Sequence, residues 1–200
     1  MNHSNTKEKI LNAALDFFSQ HGYSGASIRQ ISRAVGIRES AIYNHYKSKE
    51  EIFLAILSSF KLKTISKEIL SDDLLDEVIN PDKFLKTFAL RLIEHWNKPG
   101  ERKFIRVLLM EQFTHISNKE LSTTDYLSEL REICRLIFSE MVKTKIIKPL
   151  DPELLSEEFT APLFLIRTEY LSSDDLININ TVYERANKHV DFFWEAIRIK

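Results

Sequence analysis

The sequence predicts an all-α fold, and three observations carry that prediction. Glycine and proline are scarce, four and five in 200 residues, so little interrupts a helix. Apolar residues recur three and four apart from the first segment to the last. Capping residues stand where these periodic runs begin, at Thr6, Ser27, Ser48 and Asn80. With 44% apolar residues, the chain can bury a sizeable core.

The first helix is expected from Thr6 to His21, with Ile10, Ala13, Ala14, Phe17 and Phe18 on its inner face. Gly22 ends it. Lys7 and Lys9 at its start are either a solvated helix end or phosphate contacts. The stretch Ser27–Tyr46, SIRQISRAVGIRESAIYNHY, then holds two short apolar sets around Gly36: Ile28, Ile31, Val35 and Ile37 before it, Ile42, Tyr43 and Tyr46 after it. Two short helices meeting at a glycine turn satisfy that pattern, since glycine adopts a positive φ without a Cβ clash. The pair reads as a helix-turn-helix with Arg38–His45 as the helix offered to a DNA major groove. Helical hairpins with a turn glycine also occur in proteins that never touch DNA. Ser27 caps the second helix, and Arg29 and Arg33 lie four apart on one of its faces. Ser40 and Ala41 are short enough to let a helix approach base edges. Glu39 suits either a cytosine amino group or the first turn of a helix.

A fourth helix starts at Ser48, with Glu51 in capping-box spacing, and carries Ile52, Phe53, Ile56, Leu57 and Phe60. SDDLLDEV (71–78) is a polar break before a short helix. Asn80 and Pro81 open the next helix, whose inner face is Phe84, Leu85, Phe88, Leu92 and Trp96. NKPGERK (97–103) is expected as a loop. Phe104–Ile116 is apolar enough to cross the centre of the body. Long helices follow at Tyr126–Lys145, at Pro152–Tyr170 with a kink at Pro162, and at Thr181–Arg198. The last helix aligns Val182, Ala186, His189, Val190, Phe193 and Ile197, which serve either a subunit interface or packing within one protomer.

Total charge is −1, but it is unevenly spread. Through residue 49, Lys7, Lys9, Arg29, Arg33, Arg38, Lys47 and Lys49 outweigh Glu8, Asp16 and Glu39, so a basic head precedes an acidic body. The lone cysteine, Cys134, allows no internal disulfide and reads as a small buried hydrophobe. The polar start, MNHSNTKEK, resembles neither a signal nor a transit peptide, and no run reaches the ~18 apolar residues of a membrane span. A cytoplasmic protein with no membrane partner is expected.

Enzymatic function finds little support. The six histidines are scattered, with no HExxH pair, cysteine cluster or glycine-rich phosphate loop. Glu94 and His95 with Glu111 and His115 are the one weak candidate for a metal or acid–base site. No metal or cofactor is expected. The rival to DNA binding is a helical dimeric adaptor or interaction protein without sequence-specific DNA binding.

The segment AALDFFSQHGYSGASIRQISRAVGIRESAIYNHYKSKEEIF resembles the N-terminal domain of the TetR family of bacterial transcriptional regulators, over residues 6 to 60. The spacing from His21–Gly22 through Val35–Gly36–Ile37 to IYNHYKSKEEIF carries the likeness. It implies a DNA-binding domain at 1–48, and a helical body at 49–200 that binds a small-molecule effector and dimerises through the last two helices. It implies a ligand-responsive repressor, a homodimer on palindromic double-stranded operator DNA. Base readers would be Arg38, Glu39, Ser40, Ala41 and Asn44. Phosphate contacts would be Ser27, Arg29, Tyr43, His45, Tyr46, Lys47 and Lys49. Ser32 replaces the family's usual alanine, and Ser40–Ala41 stands where glycine–threonine is frequent, so base preference does not transfer. An effector pocket is expected from Phe88, Trp96, Leu108, Gln112, Phe113, His115, Ile137, Phe164, Arg167 and Tyr170, with a solid core as the other reading. A dimer seam is expected from Ala186, His189, Val190, Phe193 and Ile197.

Overall fold

The computed structural model describes residues 3–61, 69–71, 73–74, 77–113, 122–172 and 178–199. Its helices are α1 (His3–Gly25), α2 (Ile28–Val35), α3 (Glu39–Ile42), α4 (Lys49–Lys61), α5 (Pro81–Asn97), α6 (Pro99–Glu111), α7 (Thr123–Lys143), α8 (Pro152–Ser172) and α9 (Ile179–Ile197). A 3-10 turn, Glu77–Ile79, precedes α5. Among the described residues the only β pairing is an isolated bridge between Ile147 and Arg198. No helix among them is long and apolar enough to cross a membrane.

The chain forms two compact units, Met1–Lys63 with Pro99–Tyr126, and Thr64–Lys98 with Leu127–Lys200. In the first, α1 packs on α2, α4 and α6. Ile10, Ala14, Phe18, Ile31, Ile42, Ile52 and Phe53 are buried between these helices. Phe18, Tyr23 and Phe53 meet ring to ring at 5.1–5.6 Å. The expected loop at 97–103 is not there. α5 ends at Asn97, Lys98 is its C-cap, and α6 begins at Pro99. Proline at a helix start forfeits an amide that has no intrahelical partner anyway, so Pro99 opens a helix as readily as it breaks one. The Phe60 ring lies 3.7 Å from where a Cβ at Gly100 would sit, an ordinary van der Waals distance. Phe60 in turn stacks on Phe104 at 4.2 Å. α6 therefore groups with the N-terminal helices, not with the body whose centre it was expected to cross.

In the second unit α9 packs on α5 and α8. Phe159 of α8 lies against Phe88, Phe138 and Phe193 at 5.3–6.1 Å. α8 continues through Pro162 to Ser172. Asn178 caps α9 by accepting from the Asn180 amide. Cys134 is buried, and that burial pushes its thiol far above the ordinary cysteine range.

Ala186, Val190, Phe193 and Ile197 are buried within the protomer, which corrects their placement in a subunit seam. The apolar face of α9 is consumed by α5 and α8. His189 is half-buried there, with Nε2 3.1 Å from the Phe159 carbonyl. Burial pulls its pKa below the usual histidine value.

Candidate nucleic-acid interface

Ser27 begins α2 with a full capping box. Its Oγ accepts from the Gln30 amide at 3.2 Å, and Gln30 Oε1 accepts from the Ser27 amide at 2.9 Å. Gly36 closes α2 in the left-handed region, φ 76° and ψ 31°. Its amide donates to the Arg33 carbonyl and the Ile37 amide to that of Ser32. Ile31 and Ile42 pin the two helices to the core, each fully buried. α3 is shorter than the expected Arg38–His45. It spans Glu39–Ile42, after which the His45 and Tyr46 amides both donate to the Ile42 carbonyl and tighten the chain.

That anchoring leaves one side of the motif in solvent. Arg38, Glu39, Ser40 and Asn44 are exposed, and Ala41 is half-buried. Ser27, Arg29, Tyr43 and Lys47 are exposed beside them, and His45 is half-buried. Arg29 Nε lies 4.0 Å from Glu39 Oε1, linking α2 to the start of α3.

Two expected phosphate contacts are corrected. Tyr46 is 5% exposed, a core residue with the Lys7 ammonium 5.4 Å from its ring centroid. Burial, with Glu51 adding to it, raises its pKa. Lys49 turns inward. Its Nζ donates to the Tyr23 carbonyl at 2.7 Å and the Ala26 carbonyl at 2.8 Å, and sits 4.2 Å from the Tyr23 ring centroid. Burial lowers its pKa, while Glu111 works in the opposite direction. The pattern KSKEE marks Lys49 as a basic residue near a helix start, and nothing local tells an outward cation from an inward one. Glu111 meets the same corner from 88 residues away, a role that sequence reasoning misses. An acid ending an apolar helix is its only trace in the sequence.

The expected pocket residues are divided. Phe88, Trp96, Ile137, Phe164, Arg167 and Tyr170 belong to the second unit. Trp96 and Phe164 meet edge to face at 6.2 Å, and the buried Arg167 guanidinium stands 4.9 Å from the Trp96 centroid. Trp96 Nε1 is buried without a hydrogen-bond acceptor among the described residues. Leu108 and Gln112 belong to the first unit. Phe113, also there, is 87% exposed, which removes it as a lining residue. Its position follows α6 at a turn, beyond the helix's inward stripe. His115 lies outside the described residues. Of the weak metal candidate, Glu94 is exposed and His95 buried. Among the described residues no three His, Cys, Asp or Glu side chains gather as a ligand set.

Residues 10–56 match the family described as bacterial regulatory proteins, tetR family. The N-terminal segment of the chain is similar to that family. The transcriptional repressor AcnR of Corynebacterium efficiens is 30% identical over 83 residues, 40% of this chain and 44% of that one. The chain thus matches less than half the length of this relative. The likeness in fold extends over most of the chain. NalD, the secondary repressor of the MexAB-OprM multidrug efflux pump in Pseudomonas aeruginosa, superposes with a TM-score of 0.72 at 20% identity, covering 98% of each chain. AibR in complex with isovaleryl coenzyme A and operator DNA gives 0.68 at 18% identity, covering 91% of this chain and 96% of that one.

Proposed function

We propose that this protein is a ligand-responsive transcriptional repressor that binds palindromic operator DNA as a homodimer in the cytoplasm. The observation that carries the reading is the exposed side of the helix-turn-helix. Arg38, Glu39, Ser40 and Asn44 stand in solvent at the start of α3, flanked by Ser27, Arg29, Tyr43 and Lys47, on a frame held by buried Ile31 and Ile42. The first group reads bases and the second grips phosphates. DNA contact is assigned to residues 1–48, effector binding and dimerisation to 49–200.

Dimerisation uses the outward faces of α8 and α9. Leu154, Ala161 and Leu165 follow helical spacing on the exposed side of α8, and Phe192 and Ala196 are exposed on α9. Leu165 and Phe192 are 56% and 77% exposed, more apolar surface than a lone protomer favours. An effector would lie near Trp96, Phe164, Arg167 and Tyr170, where the buried Trp96 Nε1 seeks an acceptor. Binding shifts the dimer between states by the effector's differential affinity for them.

Selection of duplexes from random DNA tests the central claim. The expected outcome is one palindromic sequence whose occupancy falls steeply with salt as phosphate-bound counterions are released. Recovery of no enriched sequence sinks the reading in favour of an interaction protein. Within an enriched site, Ser40→Ala changes the preference at a single position by about 1–3 kcal/mol.

A further inference from the structure

The corner between α1 and α2 is held between two opposite charges that come from other helices. On one side, the Tyr23 amide donates to Glu111 Oε1 at 2.8 Å. On the other, the Lys49 ammonium donates to the carbonyls of Tyr23 and Ala26 and covers the Tyr23 ring. Ser27, the cap of α2, follows Ala26 directly.

Glu111 is an expensive residue where it stands. It is 7% exposed, and it ends α6, where the helix dipole is negative and disfavours a carboxylate. The corner offsets that cost with an amide donor and a nearby ammonium. The fit is close. Gly22 departs from helical geometry at φ 69°, and a Cβ there would stand 3.0 Å from Glu111 Oε1 and 3.3 Å from Met110 Cε. Two further contacts fix α6 on its neighbours, the Lys103–Asp16 ion pair with α1 and the Phe60–Phe104 stack with α4. The carboxylate thus comes from a well-seated helix.

We propose that Glu111 and Lys49 are positioning residues for DNA binding: together they set the α1–α2 corner, and with it the direction in which α2 and its Ser27 cap meet the phosphate backbone. Neither touches DNA. The inference rests on the DNA-binding reading above.

The test uses the full-length protein and a duplex recovered by the random selection, with a scrambled duplex of equal length beside it. Stoichiometric titration gives the active fraction, so each dissociation constant refers to active protein. Glu111→Met and Lys49→Met are expected to weaken both duplexes tenfold or more, with the slope of log affinity against log salt unchanged, because no phosphate contact is lost. Glu111→Gln, which keeps an oxygen for the Tyr23 amide, recovers most of the loss. A purely structural role would lower the melting midpoint and the active fraction but leave the dissociation constant per active protein in place. If Glu111→Met does not fold, Glu111→Gln and Lys49→Met carry the test: a smaller loss in the first than the second, at constant salt slope, supports the proposal. Dissociation constants within twofold of wild type for the folded variants overturn it. So does a salt slope reduced by about one in Lys49→Met, the mark of a phosphate contact. A wild type that enriches no duplex overturns the DNA-binding reading and this inference together; a wild type that binds with indifferent variants overturns this inference alone.

Discussion

The helix-turn-helix and the last helix both carry apolar residues at helical spacing, and they use them differently. In Ser27–Tyr46 the hydrogen bonds that set the two helices are made within a few residues, and α1 covers the motif's apolar side. The capping box and the left-handed glycine fix where each helix stops, so the buried Ile31 and Ile42 determine the opposite, exposed face. In α9 the stripe of Val182, Ala186, Val190, Phe193 and Ile197 is just as regular, but its partners come from α5 and α8, some hundred and some thirty residues away. Periodicity identifies the face that leaves water. It does not identify what covers that face.

The sharpest way to break this contrast is to charge each side of α9. Val190 is fully buried, and Val190→Asp places a carboxylate in the buried stripe of α9. The cost is at least about 4 kcal/mol, a large part of the ~5–15 kcal/mol that holds a domain together. Thermal unfolding followed by circular dichroism should show a collapsed midpoint or no cooperative transition. Phe192→Asp, close by on the same helix but 77% exposed, should melt like wild type and sediment as a monomer. A normal melt for Val190→Asp would return that residue to the subunit seam.

The same reasoning explains what is legible in the sequence. The all-helical class, the Ser27 and Asn80 caps and the Gly36 turn rest on interactions within four residues, and they stand as expected. The inward turn of Lys49 rests on carbonyls at 23 and 26, and the grouping of α6 with α1 on contacts across more than eighty residues. No local signal encodes either. The exposed face of the motif is legible because a short motif defines its own outside. Tyr46 escapes such a reading because an aromatic with a hydroxyl serves equally as core or as a grip on phosphate.

A middle-sized effect tests the local side. Gly36 has φ 76° with nothing within 4 Å of where a Cβ would stand, so a substitution there meets strain and no clash. Gly36→Val should cost about 1–2 kcal/mol, and Gly36→Asn clearly less, since asparagine tolerates the left-handed region. Chemical denaturation of both variants measures the difference. Equal costs would mean that crowding, not backbone conformation, selects glycine.

A smaller effect lies with His189 on the long-range side. Burial, the main cause, holds its pKa below the unfolded value of 6.5. The unfolded chain therefore binds its proton first as pH falls. The stability from the neutral ring is present above pH 6.5 and is lost as pH falls through the depressed folded pKa. A scan of melting midpoint from about pH 8 to about pH 5 should decline in wild type and decline less in His189→Gln. Parallel curves would show that another group governs the acid limb.

The smallest effect on the fold, and the one that most sharpens the reading of the exposed face, concerns Arg29 and Glu39. Their side chains are 78% and 51% exposed and 4.0 Å apart, a geometry that contributes little to stability in water. Arg29→Gln should leave the melting midpoint in place. On DNA the two residues separate. If Arg29 grips phosphate, its removal weakens all duplexes alike and lowers the salt slope by about 0.9. Glu39 has two roles open to it, accepting from a cytosine amino group or steadying Arg29 for its phosphate. The first makes Glu39→Gln redistribute preference at one base position; the second leaves preference intact and weakens binding only while Arg29 is present. Selection on random duplexes with Glu39→Gln, Arg29→Gln and the double variant distinguishes them, because only the second role makes the two substitutions non-additive. The exposed pair is then either a reader beside a grip or one grip made of two residues, and in both cases its work is done on the ligand and not on the fold.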